Sequence, residues 1–332
     1  MQFSWKGQIM KRSSLTHFAW LSIAAAIITI CLKTGAYFLT GSVGLLSDAL
    51  ESVVNLLGAL IALWMLTIAA RPADKSHMFG HSKAEYFASG VEGFLILIAA
   101  ASIAYTAIQR LLNPQDLGKV GWGLVVSVIA SVINFIVSRI LSIAGKKNNS
   151  ITLEADSAHL LTDVWTSIGV ILAVFVVSIT HWRVIDPLIA LLVAANIIWT
   201  GVHLISRSIS GLMDVALPPS EQKEIEAILD QYRLRGIDFH ALLTRQSAAR
   251  KFISVHILVP GEMSVHDGHH IAEEFEHEVL DLFGNAVVIT HLEPSDDEIS
   301  SHDINLDRVL VTKEAGFNNE KHKNGDVNEA NS

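Results

Sequence analysis

Six long apolar stretches fill the first two thirds of the chain and decide what it can fold into: residues 18–39, 43–66, 86–108, 120–143, 151–179 and 184–209. A helix needs about 20 mostly apolar residues to cross a bilayer, because lipid offers no partner to backbone N–H and C=O groups. The first stretch is too long for a cleaved signal peptide, and no small-residue cleavage site follows it. Only Thr40, Gly41 and Ser42 separate the first two stretches, so they form a tight hairpin. The composition agrees: 51% of residues are hydrophobic and only 17% charged, which makes an ordinary cytosolic enzyme a poor fit. The single cysteine, Cys31, excludes an internal disulfide and a thiolate-based metal site within one chain.

Lys and Arg in the short loops set the orientation. Lys6, Lys11, Arg12, Arg71, Lys75, Arg139, Lys146, Lys147 and Arg207 fall on one side; Arg110, Lys119 and Arg183 fall on the other. The richer side is cytoplasmic, and six spans put both termini there. Lys33 in the first span is expected to snorkel toward the outer interface. Residues 1–214 carry 14 Lys and Arg against 11 Asp and Glu, whereas residues 215–332 carry 10 against 22. The expected organisation is a membrane domain over 1–214, a soluble domain over 215–295 and a disordered tail over 296–332. An acidic soluble part without a basic cluster argues against nucleic acid as a partner.

In the soluble part, Pro218 and Pro219 stop the last span and Ser220 is placed to cap a helix over 221–232. Strands follow at 238–246 and 251–259, a helix at 264–283 and a strand at 286–292. This α+β module, in the order αββαβ, has a thin core, so a partner surface or a bound metal is expected to contribute.

Ionisable residues inside a span are costly, and each is a functional hypothesis. The second span carries Asp48, Glu51 and Asn55; the fifth carries Glu154, Asp156, His159 and Asp163. Glu51 and Asn55 share a helix face, as do His159 and Asp163. If the two faces meet, one imidazole nitrogen and three oxygens surround a point, a donor set suited to a divalent transition metal. Hydrogen-bonding glue between helices is the alternative, and Asn55 alone fits it. Asp48 and Asp156 either line an access path or cap polar contacts. Asp74, His77 and His81 have ligand spacing in the loop after the second span. His240, His256 and His291 lie on the three strands, with Glu293 beside the last.

Three segments carry a resemblance: Gly41 to Glu51, Gly80 to Glu85 and Glu154 to Asp163. Together they resemble the cation diffusion facilitator family of six-span divalent metal/proton antiporters, over about Ser14 to Pro294. The resemblance implies a homodimer with a ferredoxin-like cytoplasmic domain, and a bacterial inner membrane fits the lack of a targeting segment. It implies a transport site at Glu51, Asn55, His159 and Asp163 and a loop site at Asp74, His77 and His81. It also implies a binuclear cytoplasmic site at His240, His256, His269, His291 and Glu293, and a charge interlock between Lys83 and Asp214. Zinc-transporting members carry acids or a His–Asp pair where this chain has Glu51 and Asn55. One nitrogen and three oxygens lean toward Fe²⁺, Mn²⁺ or Co²⁺, while the histidines keep Zn²⁺ as the first expectation. No phosphate-binding loop occurs, so exchange for protons rather than ATP is the expected drive. A membrane-anchored metal sensor is the rival reading, and an intramembrane metallohydrolase a weaker one.

Overall fold

The computed structural model describes residues 15–40, 43–113, 122–180, 182 and 184–301. Its helices are α1 Thr16–Thr40, α2 Val43–Ala69, α3 Ala84–Leu112, α4 Trp122–Asn148, α5 Ile151–Thr180 and α6 Ile185–Leu212. All six are long and apolar enough to cross a membrane. Beyond them come α7 Pro219–Arg233, β1 Asp238–Ser247, β2 Arg250–Val259, α8 Val265–Phe283 and β3 Ala286–Pro294. The soluble order is therefore αββαβ, as the sequence predicts.

The chain divides into two compact units. The larger holds the six long helices with residues 244–253 and 280–287. In it α3 packs most extensively on α6, α1 on α2 and α4 on α5. The α3–α6 approach depends on small residues: a Cβ on Gly93 would lie 3.2 Å from the Gly201 carbonyl, and one on Gly201 would lie 3.1 Å from the Gly93 carbonyl. Leu15, Leu66, Leu141, Leu153 and Leu160 form one buried cluster among α1, α2, α4 and α5. Many large apolar side chains, such as Trp20, Phe94 and Trp199, face outward, as lipid contact requires. Lys33 does not snorkel: its side chain is buried.

The smaller unit holds residues 223–243, 254–279 and 288 onward. Tyr232, Phe239 and Phe275 meet with ring centroids 5.7–6.0 Å apart and form its core. The sheet runs β1-β2-β3, with β2 central. Lys251 N donates to Asn285 O and Ser295 N to Val259 O, so β2 and β3 run in the same direction. Three local readings need correction. Ser220 does not cap α7; the helix starts at Pro219, whose missing N–H costs nothing in a first turn. Ser264 precedes α8 as its cap, its Oγ accepting from Asp267 N at 3.1 Å. The first residues of the expected tail are ordered, since Glu298–Ser301 form a 3₁₀ turn and Ser300 Oγ donates to Pro294 O at 2.8 Å. Residues 302–332 lie outside the described residues.

Candidate metal centres

Within the helical bundle, α2 and α5 do bring their polar faces together. Asn55 Nδ2 donates to Asp163 Oδ2 at 2.5 Å, and His159 Nε2 stands 2.6 Å from Asn55 Oδ1. Asn134 of α4 adds a second donor to the same Asp163 oxygen at 2.9 Å. Asn55, His159 and Asp163 are buried. They line a cleft of about 570 Å³ together with Glu51 and, toward the opposite end of the helices, Arg110 and Asp186. The last two are ion-paired at 3.1 Å. The i, i+4 spacing of His159 and Asp163 explains why one helix offers both groups to one point. Asp156 is buried and accepts from Ser22 Oγ of α1 at 2.9 Å, which ties two helices. Glu154 pairs with Arg207 at 2.7 Å. The Asp48 side chain lies outside the described residues.

The loop between α2 and α3 gathers its three expected ligands. His77 Nδ1 lies 3.4 Å from Asp74 Oδ1 and His81 Nε2 lies 3.3 Å from Asp74 Oδ2. Backbone N–H groups of His77 and Ser76 donate to Asp74 Oδ1 at 2.7 and 2.8 Å. The first of these does most to hold its carboxyl below the usual range. An ionised Asp74 beside two imidazoles is a ready donor set for a divalent ion.

In the smaller unit, a strand from each part of the sheet contributes one group. His240 Nε2 is 3.0 Å from Glu293 Oε2, His256 Nδ1 is 3.1 Å from Glu293 Oε1, and the two imidazoles are 3.1 Å apart. Donors at 2.0–2.1 Å from a tetrahedral Zn²⁺ stand about 3.3 Å apart, so this triad already has metal-like spacing. Glu293 is buried, and among the described residues its Oε2 has no hydrogen-bond partner of good geometry, which an ion would supply. His291 adds Nε2 at 3.4 Å from Glu293 Oε1. His269 is not brought to this cluster; it lies exposed on α8, 3.9 Å from Glu273.

The expected interlock is present and larger than the sequence suggests. Lys83 Nζ and Arg245 Nη1 both reach Asp214 Oδ1 at 3.0 Å. Burial pushes the Asp214 carboxyl up, but hydrogen bonds from Lys83 and Arg245 outweigh it and hold it below the usual range. Arg245 and Asn134 were not found by sequence reasoning. Neither stands in a spaced pair on its own helix or strand.

Residues 19–213 match the family model of the cation efflux transmembrane domain, and residues 217–295 match that of the cation efflux protein cytoplasmic domain. The chain belongs to the cation diffusion facilitator family. Within that family, the uncharacterized transporter sll1263 of Synechocystis sp. is 51% identical over 280 residues, covering 84% of this chain and 90% of its own. The cation-efflux pump FieF of Klebsiella pneumoniae is 31% identical over 290 residues, covering 87% of this chain and 94% of its own. A solved chain of a candidate zinc transporter, CzrB, is 35% identical with a TM-score of 0.22, covering 24% of this chain and 96% of its own. As a cation diffusion facilitator, the protein is a multi-pass metal cation efflux transporter with a soluble domain of the dimerisation class.

Proposed function

We propose that the protein exports a divalent transition metal from the cytoplasm in exchange for protons. The first cargo is Zn²⁺, with Fe²⁺, Mn²⁺ or Co²⁺ as alternatives that the oxygen-rich donor set favours. The observation that carries the reading is the convergence of Asn55, His159 and Asp163 beside Glu51 in a cleft of the membrane helices. Helix-to-helix glue would not require a histidine and a carboxylate one turn apart, facing a cleft that reaches an ion-paired mouth. Relatives named cation-efflux pumps support the direction of transport.

In the proposed cycle the inward-facing site takes a dehydrated cation through Glu51, His159 and Asp163. Metal binding needs these groups deprotonated, so protons arriving from the far side compete for the same atoms and release the ion. The protonated site then turns inward. The chain acts as a homodimer in the bacterial inner membrane with both termini cytoplasmic, over a membrane domain of residues 1–214 and a soluble domain of 215–295. Metal held by His240, His256, His291 and Glu293 biases the gate, and the Lys83–Asp214–Arg245 cluster links the helices to that response.

The test is metal uptake into sealed inverted vesicles, scanning Zn²⁺, Fe²⁺, Mn²⁺ and Co²⁺ with and without a pH gradient. Gradient-driven uptake of one of these ions is expected. Metal binding without any flux would favour the sensor reading, which has no use for Glu51, His159 and Asp163.

A further inference from the structure

Glu92 of α3 belongs to no expected ligand set, yet it is fully buried about two turns inside a membrane span. A carboxylate there costs several kcal/mol by insertion scales, so its presence needs a use. Its Oε2 stands 3.0 Å from His159 Nδ1, and neither carboxylate oxygen has a well-aligned hydrogen bond among the described residues. On its other side α2 is cut away. A Cβ on Gly58 would come within 2.6 Å of Glu92 Oε1 and 3.0 Å of Oε2. The glycine therefore makes the space in which the carboxylate reaches the imidazole. The far ring nitrogen, Nε2, points at Asn55. His159 thus lies between an acid on α3 and the cleft residues on α2 and α5.

We propose that Glu92 is a positioning residue of the transport site: its carboxylate, 3.0 Å from Nδ1, turns into line to take the Nδ1–H of His159, so that once Nε2 gives up the proton it shares with Asn55 Oδ1 in the empty site, its lone pair faces the cation. A neutral imidazole has one donor and one acceptor nitrogen, and the partner at one nitrogen decides which is which. An acid behind Nδ1 fixes the tautomer that binds metal through Nε2 and makes that nitrogen a better ligand. The third helix thereby takes part in the site without touching the cargo. Gly58 leaves the carboxylate its present seat, because a Cβ there would push it aside. The inference rests on the proposed role of His159 as a ligand.

The experiment is a Co²⁺ titration of the full-length protein in detergent, read by the visible absorption of the bound ion. The background carries His81→Ala, His256→Ala and His291→Ala to disable the other clusters. Glu92→Gln keeps shape and packing and removes the charge. It is expected to weaken Co²⁺ by about 10–100-fold, the usual cost of losing a carboxylate behind a metal-bound histidine. Gly58→Ala keeps the charge but shifts it, and a loss in the same direction is expected. A Gly58→Ala, Glu92→Asp pair gives the shorter acid room and should recover part of that loss. In vesicles, Glu92→Gln should raise the KM for metal with a smaller change in maximal rate. Unchanged Co²⁺ affinity in Glu92→Gln overturns the proposal. If that variant fails to fold, unchanged affinity in Gly58→Ala overturns it instead. The Co²⁺ comparison needs no flux, so a wild-type chain that binds but does not transport would sink the antiport reading alone.

Discussion

Asp163→Ala separates the two jobs its carboxylate performs. Asp163 Oδ2 accepts from Asn55 Nδ2 at 2.5 Å and from Asn134 Nδ2 at 2.9 Å. Both asparagines are buried, and removing their acceptor leaves two amide donors without that partner. Each such donor costs about 1–3 kcal/mol, so the alanine variant should lose about 2–6 kcal/mol. Against the 5–15 kcal/mol typical of a folded protein, that is a large fraction. Asp163→Asn keeps an oxygen for the donors but loses the negative charge that a divalent cargo needs. Both variants should therefore abolish metal flux in vesicles, while only the alanine variant should show a strongly lowered thermal midpoint in detergent. Wild-type flux in either variant would refute the transport-site assignment. Equal midpoints for the two would refute the claim that Asp163 anchors α2 and α4.

Asn55→Asp restores a charged oxygen at a ligand position and should shift ion preference toward Zn²⁺ and steepen the dependence on external pH; an unchanged metal profile in the vesicle assay would contradict a ligand role for Asn55. Zn²⁺ should raise the thermal midpoint of the full chain, by mass action worth about 2.7 kcal/mol at a hundredfold excess over Kd, and His256→Ala with His291→Ala should remove most of that gain without abolishing flux. The Asp214 carboxyl is held below its ordinary 3.8, so the stability it contributes is present above that value and disappears only as pH falls through the lower folded value. The difference in midpoint between wild type and Asp214→Asn should therefore stay constant from about pH 8 to about pH 5, and a difference that shrinks within that window would contradict the ion-pair account.

Most of the fold was legible because long apolar runs report membrane helices more directly than any other pattern. The helix ends extend past the apolar runs, as at Gly145–Asn148, since solvated polar residues continue a turn without changing hydropathy. The His159–Asp163 pair was legible for the same geometric reason: two polar groups one turn apart mark a face. Glu92 was not. It shares a buried polar face of α3 with Glu85 and Ser89, which marks it as costly in a span, but its i, i±4 neighbours Ala88 and Ile96 are apolar, so no spaced ligand pair shows which helix its carboxylate meets. Asn134 escaped likewise, and Arg245 acts through a loop contact far from it in sequence. His269 stands apart from the strand histidines within one chain, since where a helix histidine faces depends on packing that its spacing does not report.

The hydrogen bonds that Asn55 makes have a consequence for which ions pass. At the proposed transport site, an arriving ion meets Asn55 already seated between His159 Nε2 on one side and Asp163 Oδ2 on the other. To bind, it must outcompete Asn55 at both contacts. A divalent transition ion gains strongly from an imidazole nitrogen and a carboxylate together, whereas Na⁺ or K⁺ gains little from the nitrogen. The amide is therefore an internal competitor that sets a threshold, and common monovalent cations fall below it. Discrimination in this reading comes from what the ion has to displace as much as from what it touches.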